Sequence, residues 1–116
     1  MLPMKQAEIG TDTLTLADLQ AEFQEALKDL LLKSGEIDPF AVYMLRRLED
    51  ESGMELAQSV LAAEGQQTGL LRLWQGERLE ISVEALVLRR EFRALFSSDE
   101  LAKAKKRLTG LDYKTE

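Results

Sequence analysis

The sequence predicts a mainly α fold: one small domain of four or five helices, with residues 71–81 open to two readings, a β-hairpin or a helix. Three observations predict it. Apolar residues recur at helical spacing along most of the chain. Ser, Thr or Asp stands where each run begins, as a helix N-cap requires. Gly and Pro are scarce, with 7 and 2 among 116 residues, and the hydrophobic share of 45% is too high for a disordered acidic chain. Residues 1–13 read as a loosely held arm, 14–110 as the single helical domain and 111–116 as a tail.

The first helix is the cleanest. Thr15 followed by Asp18 has the spacing of a capped start, although Thr13-Leu14-Thr15-Leu16 also alternates as a short strand would. Leu16, Leu19, Phe23, Ala26, Leu27, Leu30 and Leu31 then fall on one face, with Asp18, Glu22, Glu25 and Asp29 opposite. Gly35 is expected as the left-handed residue past its end near Ser34.

Asp38-Pro39 starts the second helix, an Asx cap with proline at the first helical position. Phe40, Ala41, Met44, Leu45 and Leu48 form its expected buried stripe. Ser52 with Glu55 has capping-box spacing, so the helix breaks there. A third helix then uses Met54, Leu56, Ala57, Val60, Leu61 and Ala63, closed by Gly65. The rival is one helix from Pro39 to Glu64 that tolerates Gly53 at a cost of about 1 kcal/mol.

Residues 71–81 switch to a period of two. With Gln75, Gly76 and Glu77 as a loop, Leu73 faces Leu79 and Leu71 faces Ile81 on one side. Arg72 then faces Glu80, and Trp74 faces Arg78, on the other. The competing helix runs from Gly69 through Glu80, since Leu70, Leu73 and Trp74 also suit a helical face.

Ser82 caps a fourth helix expected to reach Phe96. It is apolar on two sides: Val83, Val87 and Ala94 make one stripe, and Ala85, Leu88, Phe92, Leu95 and Phe96 another. A two-sided helix is central in its own domain or shared with a partner. Ser97 opens the last helix, with Leu101, Ala104 and Leu108 inward and Lys103, Lys105, Lys106 and Arg107 towards its C-terminal end, where Gly110 closes it.

The chain has no Cys and no His. That excludes a disulfide framework, a thiolate nucleophile, an imidazole base and zinc sites of the Cys/His type. There is no nucleophile elbow, no phosphate-cradling glycine motif and no calcium loop, and neighbouring acids on one helix diverge. Five of the serines, Ser34, Ser52, Ser82, Ser97 and Ser98, are spoken for by helix ends. No catalytic residue, cofactor or metal is expected, and the protein is read as not an enzyme. No run of apolar residues approaches a membrane span, and no secretory h-region opens the sequence, so the expectation is a cytoplasmic protein.

Three helices before a hairpin resemble the order of a winged helix. With Gly53 as the turn glycine, Glu49 occupies the tight-packing position four residues earlier. The next helix carries Glu55, Gln58, Ser59 and Glu64 and no cation to meet phosphate. Residues 1–64 hold 5 basic and 13 acidic side chains, whereas residues 65–116 hold 10 and 8. Nucleic-acid binding through the basic C-terminal helices is therefore the alternative, and protein binding the expectation. The chain is read as a small acidic regulator, inhibitor or assembly chaperone that masks an apolar surface of a larger partner, with homodimerisation through the same helix as a related outcome. Its expected contact set is Trp74, Arg78, Leu88, Arg89, Phe92, Arg93 and Phe96, with the two phenylalanines as anchors.

Overall fold

In the computed structural model, residues 15–63 and 68–114 are described. Among these described residues six α-helices follow in order: α1 (Leu16–Ser34), α2 (Pro39–Arg47), α3 (Gly53–Ala62), α4 (Thr68–Gln75), α5 (Val83–Val87) and α6 (Ser98–Thr109). Two 3-10 turns, Leu79–Ile81 and Arg93–Leu95, flank α5. There is no strand among the described residues. The expected arm, residues 1–13, and the closing glycine Gly65 lie outside them.

Most helix starts are where local chemistry puts them. Thr15–Asp18, Ser52–Glu55 and Ser97–Glu100 all form reciprocal capping boxes. Asp38 caps α2 with Pro39 at its first position, and Ser82 caps α5 through the Ala85 N–H. The chain breaks between α2 and α3, excluding one continuous helix. Gly53 explains the tightness of that break. Its N–H donates to Gln24 Oε1 at 2.9 Å, and a Cβ there would lie 3.1 Å from the Gln24 Cα. A side chain there would push on the α1 backbone, so glycine suits this close start of α3.

The core is built around α1. Phe23, Leu27, Leu31, Leu56, Leu61, Leu86, Val87 and Leu108 are fully buried. The Phe23 ring meets Phe92 and Phe96 edge-on, each at 5.3 Å between centroids, a favoured aromatic geometry.

Residues 71–81 do not form a hairpin. The chain continues as α4 to Gln75, turns, and re-enters the core through the 3-10 turn. Leu73, Leu79 and Ile81 point inward as the hairpin also required, but Leu70 is buried and Leu71, which the hairpin set opposite Ile81, is only half-buried. A lone two-stranded ribbon leaves its outer edges unpaired, whereas a helix satisfies its own backbone. Arg72 accordingly pairs with Asp38 rather than Glu80, and Glu80 pairs with Arg78.

The helix α4 raises the expected count of four or five to six among the described residues, and the long fourth helix expected from the sequence is also corrected. α5 ends at Val87, and residues 88–96 form turns and a 3-10 segment. Arg93 Nε donates to the Leu88 carbonyl at 2.8 Å, closing the bend. The bend turns Leu88, Phe92 and Phe96 to the core that also encloses Val83 and Val87, while Ala94, expected in the first stripe, is exposed. Gly35 is right-handed (φ −61°), as is Gly110 (φ −64°). The left-handed positions are Glu77 (φ 60°) and Asp112 (φ 63°).

Candidate partner-binding face

α2 presents its apolar side chains in two directions. Ala41 and Met44 are buried, while Phe40, Val42 and Tyr43 stand out, Phe40 being 51% and Tyr43 54% exposed. The expected place of Phe40 in the buried stripe is thus corrected. Its ring stacks on Tyr43 at 5.4 Å with 29° between planes, so the two form one aromatic surface, three residues apart on the helix.

α4 is pinned against the start of this helix. Asp38 Oδ1 accepts from the Phe40 N–H and from Arg72 Nη1, both at 3.1 Å. One carboxylate therefore caps α2 and anchors α4. At Gly69 a Cβ would lie 2.5 Å from Asp38 Oδ2, so the approach of α4 depends on the missing side chain. α4 carries Trp74 outward, 46% exposed.

Beside Phe40 opens a cavity of about 480 Å3 among α1, α2, α4 and α5. Leu30, Leu31, Met44, Leu70, Leu73 and Val83 supply apolar walls. Its deeper polar groups have partners within the chain. Ser34 Oγ donates to the Leu31 carbonyl and Ser82 Oγ to the Leu79 carbonyl. Glu84 accepts from Arg107 at 3.0 Å. Arg107 also donates to the carbonyls of Val60, Leu61 and Ala63, satisfying the open end of α3. These groups hold the fold together. No cluster of three or more metal-ligating side chains occurs among the described residues.

The predicted contact residues do not converge on one face. Phe92 and Phe96 are buried, 4% and 8% exposed, with their rings on Phe23. They serve as core anchors, and the inference of a spare apolar helix perimeter at 82–96 falls with them. Arg93 is half-buried and bonded to the Leu88 carbonyl. Leu88 is buried at the wall of a second cleft that it shares with Arg78 and Arg89. Trp74 alone among the expected aromatic contacts is exposed.

Sequence reasoning missed Phe40 and Tyr43. The signal was present: Phe40 to Leu45 is an unbroken apolar run in a nine-residue helix, so no orientation of α2 could bury it all. Among the described residues, no helix is long and apolar enough to cross a membrane. Compared with known families, curated proteins and solved structures, the chain matches none.

Proposed function

We propose that this chain is a non-catalytic, cytoplasmic protein-binding module, a small acidic regulator, inhibitor or assembly chaperone that covers an apolar surface of a larger protein. The contact face is the stacked pair Phe40–Tyr43 on α2, with Trp74 on the adjoining α4. One observation carries the reading: two aromatic rings are held in register on a short helix, yet each keeps about half its surface in water. Exposed aromatics grouped in this way mark interaction surfaces, and Tyr and Trp dominate the binding energy of interfaces. The missing imidazole and thiol chemistry supports a non-catalytic role.

The test is photo-crosslinking in native host cells from a benzophenone side chain placed at position 43. The reading expects one prominent heterologous adduct that Phe40→Asp removes while the melting temperature stays near that of the parent chain. An adduct pattern identical to that from a probe at Glu22, on the polar face of α1, would contradict it. An adduct of twice the chain's mass would replace the larger partner with a second copy.

A further inference from the structure

The cavity beside Phe40 is balanced in charge. Asp38, Arg72 and Glu84 are the charged residues that line it among those described. Asp38 pairs with Arg72 at 3.1 Å and Glu84 with Arg107 at 3.0 Å, so both carboxylates are already answered. The hydroxyl protons of Ser34 and Ser82 go to the carbonyls of Leu31 and Leu79, and Ser82 Oγ also accepts from the Ala85 N–H. A charged group entering here would meet no unpaired counter-ion, and its desolvation would go uncompensated. An uncharged, apolar group carries no such cost.

The walls that keep accessible surface are apolar. The half-exposed Phe40 stands at the mouth with the half-buried Val60 and the exposed Ala63. Further in, Met44 retains 8% of its surface, and Leu70 and Ile81 retain 7% each. Leu31 and Ser82 are enclosed and serve only as backing. Arg72 lies at the rim with 45% of its side chain exposed. Its Nη1 is given to Asp38, while Nε and Nη2 have no partner among the described residues.

The size of the face limits what can cover it. Phe40, Tyr43 and Trp74, each about half exposed, offer roughly 300 Å2 between them. Two folded chains in a stable pair each cover about 800 Å2, somewhat more than half of it apolar. The exposed rings fall short of that, but a concavity of about 480 Å3 adjoins Phe40. A single projecting segment can use the rings and the concavity together.

We infer that the partner binds through one peptide segment, which inserts a leucine, phenylalanine or tryptophan side chain into this cavity and offers a backbone carbonyl to Arg72. This rests on the protein-binding function proposed for the Phe40–Tyr43 face and names the chemistry of what that face receives. A carbonyl accepts from the guanidinium without bringing charge beside Asp38, which the carboxylate of a fatty acid would do. A large side chain that fills a desolvated pocket is the kind of anchor that dominates binding energy at interfaces.

Selection of a phage-displayed random peptide library on the immobilised full chain, followed by fluorescence polarisation with the labelled winning peptide, tests it. The enriched peptides should share one large apolar residue, and its change to alanine should weaken Kd by about tenfold or more. Ala63→Trp and Val60→Phe, which crowd the mouth from α3 and its end, should each weaken Kd to a similar extent with the melting temperature near that of the parent. Leu32→Glu, an exposed apolar position on α1 outside the cavity lining, should leave Kd within about twofold. Peptides released by Phe40→Asp but held by both α3 variants would overturn the cavity assignment while leaving the aromatic face in place. An equal loss in Leu32→Glu would overturn it in favour of diffuse apolar attraction, and a charged consensus without an apolar anchor would also overturn it. So would failure to enrich any peptide while the position-43 probe yields its single adduct; loss of that adduct instead counts against the protein-binding function itself.

Discussion

Glu77 and Asp112 hold the left-handed backbone that ends α4 and α6, and each sits in a Schellman turn. The Arg78 N–H donates to the Leu73 carbonyl, and the Tyr113 N–H to the Leu108 carbonyl. A side chain at such a position costs about 1 kcal/mol relative to glycine. Glu77→Gly should therefore raise stability by about that amount, read as a higher midpoint in urea. A lower midpoint would show that the Glu77 side chain makes a compensating contact. These positions were hidden in the sequence because a glycine stands one or two residues before each, at Gly76 and Gly110, where a left-handed residue is usually sought. The N-caps were legible because a hydroxyl or carboxylate and the N–H it serves lie within three residues of each other.

Between elements, legibility depended on whether the choice was local. α1, α2, α3 and α6 follow from their caps and spacing. The hairpin failed because Leu73, Leu79 and Ile81 point inward under either backbone, and the pair that separates the two, Leu70 and Leu71, is apolar at both positions. The bend after α5 has no Gly or Pro to announce it; the Phe23 cluster imposes it from across the fold. Arg107 shows the same long-range dependence. Its position in the last turn of α6 suggests a solvated cation, yet it reaches Glu84 and three carbonyls at the end of α3. Arg107→Met leaves Glu84 buried and unpaired, and should cost about 3–5 kcal/mol in chemical denaturation. Adding Glu84→Gln should recover part of that loss. A cost below about 1 kcal/mol for the single variant would mean that water replaces the guanidinium.

At the scale of the whole molecule, an acidic front half and a basic back half do meet, through Arg72 and Asp38, and this contact sets α4 against α2. The same contact frames the aromatic face. A hydrophobic share of 45% is that of an ordinary globular chain, and some of its large apolar side chains stay outside the core. Which surface carries them was decided by tertiary packing: the bend at 88–96 drew Phe92 and Phe96 inward, and α2 was left with Phe40 and Tyr43 outside. Thermal and urea melts of Phe40→Ala, Tyr43→Ala and Phe92→Ala, run side by side, test this division directly. The two α2 variants should each lose about 1 kcal/mol or less, and Phe92→Ala about 3–5 kcal/mol. A Phe92→Ala protein as stable as its parent, with Phe40→Ala or Tyr43→Ala strongly destabilised, would contradict the placement of the exposed face.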